Sequence, residues 1–226
     1  MIVALVGVIT STAQSVVPWL LVGAIWLLLA SAVKVLHGRE ADKEASSKKN
    51  HEGLVAALHV VQALAGHICA IKKEDLDTTV RVTFHRIVPL EKAPDDLGQA
   101  EEIEQLVNYV GGNADGVGRR FSIRSGITGA AIRGNTPIWC ERVNSDAAAY
   151  VKELKEQWAY TEHDAKKMST DRFSCYAVPI LHGNRTLGVV FMDSDKAQLF
   201  AGAEVQQTIL VACGGINRYV GERYGT

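Results

Sequence analysis

The sequence predicts an α/β (α+β) domain, an antiparallel sheet with flanking helices, preceded by an N-terminal transmembrane helix. Three observations carry that prediction. Residues 174–195 hold two apolar runs, Tyr176 to Leu181 and Leu187 to Met192, joined by His182-Gly183-Asn184-Arg185, which reads as a tight β-hairpin. Near either end of the domain, Leu54-Leu58-Val61-Ala65-Ile68 and Val205-Ile209-Ala212-Ile216-Tyr219 recur at spacings of four and three, an a/d stripe on a helix. Residues 1–33 carry no charged side chain at all.

Within that start, Val16 to Val33 is apolar almost throughout. Eighteen residues make about 27 Å of helix, close to the ~30 Å hydrocarbon core of a bilayer. Trp19 is placed as an aromatic belt residue. Ile2 to Ile9 is too short to span and either extends the helix or lies along the interface. Ala30-Ser31-Ala32 resembles a signal-peptidase site, but a basic n-region is lacking and the apolar stretch is too long, which favours an uncleaved anchor. Lys34, Arg39, Lys43, Lys48 and Lys49 follow the span and none precedes it, so the positive-inside rule puts the C-terminal side in the cytoplasm. The expected organisation is an anchor over 1–36 with its transmembrane helix at about 16–33, a charged linker over 37–52, and an α/β domain over 53–226: a single-pass membrane protein with a cytoplasmic C-terminal domain.

Composition narrows the chemistry. A net charge of −1 gives no pull toward nucleic acid. Cys69, Cys140, Cys175 and Cys213 form no CxxC pair, which fits reduced thiols and small buried side chains rather than a zinc knuckle.

Along the domain, Thr79 to Pro89 reads as the first strand. Val80, Val82 and Phe84 share one face, and His85 is expected in solvent on the other. Residues 91–105, with six acids and one base, read as a solvated loop. A second strand is expected from Gln105 to Val110 and another from Phe121 to Arg124. Gly126 and Gly129 then allow a sharp turn into a short helix, either architectural or offering free N–H groups to an anion. A helix over Asp146 to Tyr160 aligns Tyr150, Leu154 and Trp158 on one face. Pro179 calls for an edge or a bulge. Leu187 to Met192 suits a central strand covered on both faces, and Asp193-Ser194-Asp195 a turn or helix cap.

The stretch VPILHGNRTLGVVFMDSD resembles the closing hairpin of GAF domains, small α/β sensor modules. GITGAAIRGNTPIWCERVNSD at 126–146 resembles the glycine-rich turn, short helix and following strand of the same family. With the flanking helices, the likeness runs roughly from residue 50 to 223. It implies a cavity on the sheet, roofed by the segments between the two blocks. Tyr150, Trp158 and Phe173 would stack on a planar ligand, with Trp139 and Tyr176 as the sheet-side wall. Arg124, like Arg133 and Arg172, would meet an anionic group, and Gly126 and Gly129 would form the structural turn.

Subfamily markers are missing. No cysteine is followed by histidine as in the bilin-binding type, since Cys140 precedes Glu141 and Cys175 precedes Tyr176. The glycine-rich block GITGAAIRG lacks the cysteine of the free methionine sulfoxide reductase type. The Asn-Lys-Phe-Asp-Glu set of the cyclic-nucleotide phosphodiesterase type cannot be assembled from 161–195. The expectation is therefore a sensor without catalytic residues, metal or cofactor. It would bind a small planar or anionic ligand (a nucleotide is not excluded), form a homodimer through its flanking helices, and pass its signal to a partner protein or the membrane segment. Two alternatives stand beside it: a dimerisation module with a collapsed pocket, and a thiol-based redox enzyme using Cys140 and Cys175.

Overall fold

Period-two alternation sorts each strand's side chains onto two faces, and here both faces are covered. The computed structural model describes residues 51–88, 101–112 and 115–224. The expected anchor and linker lie outside the described residues, apart from the linker's last two, His51 and Glu52. Among the described residues no helix is long and apolar enough to cross a membrane.

The chain is helical over 51–68 (α1), and a short helix α2, Leu76–Thr79, leads into β1, Val80–Val88. Next come β2, Glu102–Gln105, and β3, Arg120–Ser122, then α3, Gly126–Gly134, and β4, Ile138–Glu141. Helices α4, Ala147–Trp158, and α5, Glu162–Ala165, precede the hairpin of β5, Ser174–His182, and β6, Arg185–Ser194. Helix α6, Ala203–Tyr224, follows. The strands form one antiparallel sheet in the order β3-β2-β1-β6-β5-β4.

The hairpin turns on Gly183 and Asn184. Gly183 takes φ +60°, which costs a residue without Cβ little. β6 is central, between β1 and β5, as its unbroken apolar run requires. Pro179 stands where the sheet tolerates it: β4 pairs with β5 only from Ser174 to Ala177, and a register shift falls at Ile180/Leu181.

One sheet face, with Val82, Phe84, Tyr176, Val178, Val190 and Met192, packs against Leu54, Leu58, Val61 and Ala65 of α1 and Ile209, Cys213, Ile216 and Val220 of α6. Most of both helical stripes is thus core inside one chain, with Val205, Ala212 and Tyr219 partly buried against it. Gln62 fastens α1 to the sheet through a 2.8 Å bond from its amide to the Val80 carbonyl. The other face carries a smaller cluster in which Ile87, Ile103, Ala177 and Val189 meet Ile127, Ala131 and Ile132 of α3.

Three expectations need correction. The acidic stretch read as a loop through Gln105 contains β2, because Ile103 is buried while Glu102 and Glu104 pair across the sheet with Arg120 and Arg86. The segment expected as the second strand contributes beyond Gln105 only a bridge, Val110 to Val82. Asp193 and Ser194 are not a turn but the last residues of β6. Ser194 Oγ accepts from the Lys196 N–H at 3.0 Å, in the bend that follows the strand.

Candidate functional site

The sheet face opposite α1 and α6 is only partly filled by α3. The remainder is a cavity of about 830 Å³, within the ~300–1,000 Å³ usual for small-molecule sites. Its floor is set by strand parity: Arg81 and His85 from β1, Phe191 and Asp193 from β6, Cys175 from β5 and Cys140 from β4. The roof comes from α4, through Tyr150, Leu154 and Trp158, and from Tyr160 and the 167–173 segment.

At one end lies a charge cluster. Arg81 Nε and Nη2 each donate to an Asp193 carboxylate oxygen at 2.8 Å. Arg172 Nη1 donates to the Thr78 carbonyl, and its Nε lies 3.6 Å from the same carboxylate with no partner in hydrogen-bond range. Two guanidinium groups therefore share one carboxylate that is only 5% exposed, and the exposed Asp171 adds a second, 3.8 Å from Arg172 Nε. The Arg81 guanidinium also lies 4.6 Å above the Tyr109 ring, and burial pushes the Tyr109 hydroxyl pKa up.

His85 was expected in solvent; it is 4% exposed instead. Its side chain does point away from Phe84, but toward a face that is covered. The imidazole stacks with Phe121 at 5.4 Å and Phe191 at 6.2 Å, and neither ring nitrogen has a partner among the described residues. Burial lowers its pKa from 6.5 to about 3. The unfolded chain takes up this proton near pH 6.5 and the folded chain does not until about pH 3. Stability is therefore lost as pH falls through that window, by about 2 kcal/mol between pH 6.5 and 5. A His85→Phe variant should lack that loss. Urea unfolding at pH 7 and pH 5 checks it, and equal pH slopes for variant and wild type would refute the assignment.

The roof is held by Arg142, itself buried. Its guanidinium donates to the carbonyls of Asn144, Thr170 and, at 2.7 Å, Ser145. It also lies 4.3 Å over the Tyr150 ring and 5.3 Å over Phe173. Helix α4 starts at Asp146, whose carboxylate accepts from the Ala149 N–H at 2.8 Å.

Of the residues singled out in the sequence, Tyr150, Trp158 and Phe173 line the cavity. Tyr176 and Trp139 do not. They are cross-strand partners on the opposite face, Tyr176 stacked on Phe200 and Trp139 41% exposed. Their sequence neighbours Cys175 and Cys140 hold the inward positions, directly opposed, with the sulfurs 2.7 Å apart. Arg124 lies outside, in a shallow surface depression with Glu101 and Arg120. Arg133 donates to the Ile123 carbonyl rather than toward the cavity. Gly126, at φ +76°, opens α3 where a Cβ would stand 2.5 Å from the Tyr160 hydroxyl, and at Gly129 a Cβ would stand 2.4 Å from the Ile123 carbonyl oxygen. Sequence reasoning missed Arg81, His85, Arg142 and Asp193. Only the alternation of β1 gave a signal for the first two. Among the described residues no group of three His, Cys, Asp or Glu is placed to hold a metal ion.

No family model and no curated protein matches the chain. Solved structures similar to it include a type II free methionine-R-sulfoxide reductase from Thermoplasma acidophilum, at 16% identity and TM-score 0.42 over 74% of this chain and 96% of that one. The GAF domain of an Acinetobacter phosphoenolpyruvate-protein phosphotransferase is similar at 12% identity and TM-score 0.45, over 67% of this chain and 76% of that one. The GAF domain region of a putative membrane protein from Geobacter sulfurreducens is similar at 12% identity and TM-score 0.44, over 76% and 99%. The domain is one sheet of six antiparallel strands with helices on both faces and a cavity beneath a helical roof, and the solved structures similar to it include several GAF domains.

Proposed function

We propose that the domain is a non-catalytic sensor for a small anionic molecule with a planar apolar part. The observation that carries this reading is the Arg81–Asp193–Arg172 cluster: two guanidinium groups against one buried carboxylate, with Arg172 Nε unpartnered at the cavity wall. A ligand carboxylate or phosphate there gives Arg172 Nε the hydrogen-bond acceptor it lacks. The neighbouring stack of His85, Phe121 and Phe191 lines the cavity as an aromatic wall for the rest of the molecule.

The signal leaves through α1, which packs on the sheet face behind the cavity floor and follows the charged linker in sequence. In this reading Val16 to Val33 anchors the chain in the membrane with the domain in the cytoplasm. Copies of the chain pair through outward positions of the flanking helices, where Val60, Leu64, Leu210 and Val211 are exposed, and the output is taken by a partner protein or by the membrane segment.

The test has two arms on the full chain. Carbonate-washed membranes should retain it, and a thermal-shift screen of nucleotides and small organic acids should find compounds that raise Tm. Saturation at a hundred times Kd corresponds to ~2.7 kcal/mol of added stability. An Arg172→Met variant should lose the response to anions. Recovery in the soluble fraction defeats the membrane assignment. A screen in which nothing shifts Tm, or in which Arg172→Met responds like wild type, defeats the anion-sensor assignment.

A further inference from the structure

Cys140 and Cys175 are the feature of the cavity that the ligand reading leaves unused. Residues directly opposed in an antiparallel pair have Cα atoms about 4.5–5.5 Å apart, inside the ~4.4–6.8 Å that a disulfide spans. Register pairs Cys140 with Cys175, and parity turns both thiols to the cavity side. The sheet need not move for the two sulfurs to bond. The other cysteines serve as internal contrasts: Cys69 Sγ contacts the Leu199 carbonyl, and Cys213 is buried in the opposite core.

We propose that Cys140 and Cys175 form a reversible dithiol–disulfide couple whose oxidant is the disulfide of a small thiol. The Cys140 thiolate attacks one sulfur of that disulfide, forming a mixed disulfide and expelling one small thiolate, which is protonated. Cys175 then loses its proton and attacks Cys140 Sγ. The internal disulfide forms, the mixed one breaks, and the second small thiol leaves with that proton. Two thiols of the chain are oxidised and one external disulfide is reduced to two thiols, so electrons and protons balance. Cys140 attacks first because its own contact with Cys175, together with burial, holds the Cys175 thiol protonated well above the usual range.

The couple sits at a structural joint. Cys140 is the penultimate residue of the strand before the roof and Cys175 the second residue of the strand after it, 35 residues later, with α4 and α5 between them. Oxidation therefore ties together both ends of the segment that covers the cavity. It also replaces two thiols by an apolar S–S bond beside Tyr150. Ligand occupancy and thiol redox state thus act on the same roof, though the couple does not depend on the ligand assignment.

The experiment equilibrates the full chain in glutathione buffers of graded reduced-to-oxidised ratio. Samples are quenched in acid, alkylated under denaturing conditions and mapped by peptide mass spectrometry. One linkage, Cys140 to Cys175, should appear with oxidised glutathione and disappear on return to reduced glutathione, while Cys69 and Cys213 stay alkylatable. In Cys175→Ser, Cys140 should accumulate as its glutathione adduct. Failure of the linkage to form in fully oxidised glutathione, or a native-chain disulfide that includes Cys69 or Cys213, would overturn the proposal.

Discussion

Replacing Asp193 with Asn should lower the unfolding free energy by about 3–5 kcal/mol, the usual cost of removing one partner of a buried ion pair. The carboxylate accepts both Arg81 bonds at 2.8 Å and is the nearest anion to Arg172. Without its charge, two guanidinium groups remain on a largely covered floor. An amide offers them one oxygen acceptor and points its NH2 group at donors. By contrast, the Arg119–Asp115 pair, more than half exposed at both ends, contributes about 0–1 kcal/mol at most. Pairing Asp193→Asn with Arg81→Met should recover part of the loss, since one stranded charge goes with it. Urea unfolding of the three variants measures this. A loss below about 1 kcal/mol for Asp193→Asn would mean that water, not protein, solvates the cluster.

Leu58→Asp should abolish the folded domain. Leu58 is 0% exposed in the cluster that joins α1 to the sheet and α6. Truncating such a side chain costs about 2–5 kcal/mol, and an unpaired carboxylate adds several more. The sum approaches the ~5–15 kcal/mol that a typical domain has in all. Leu58→Ala, which lacks the charge, should retain a cooperative transition at reduced stability. Circular dichroism during thermal unfolding distinguishes the two. If Leu58→Asp stays folded but turns from dimer to monomer, α1 is held by a second copy and not by its own core.

The hairpin was legible because its signals are local: two apolar runs, a glycine turn, and a proline that excluded full pairing at one point. The helical stripes were equally legible, but a stripe shows only that a face is buried, not whose surface buries it. At the cavity the sequence erred by parity. Trp139 and Tyr176 drew attention as large aromatics, yet a shift of one residue along a strand changes the face, and Cys140 and Cys175 hold the inward positions. His85 was correctly set opposite Phe84, but the sequence does not tell that the opposite face is also roofed. Asp193 looked like a strand terminator because its partners, Arg81 and Arg172, are remote in the chain. β2 was hidden because cross-strand arginines compensate its glutamates.

The sheet's outer strands are short: three residues in β3 at one side and four in β4 at the other. An open sheet edge is a template on which another chain can add a strand, and short or charged edges are the usual protection. β3 opens with Arg120, which pairs inward with Glu102. Beyond Ile138, β5 has no neighbour on the β4 side among the described residues, but Pro179 stands on that stretch and has no N–H to offer an incoming strand. Zipping of sheets edge to edge, the first step toward a fibril, therefore finds little purchase here.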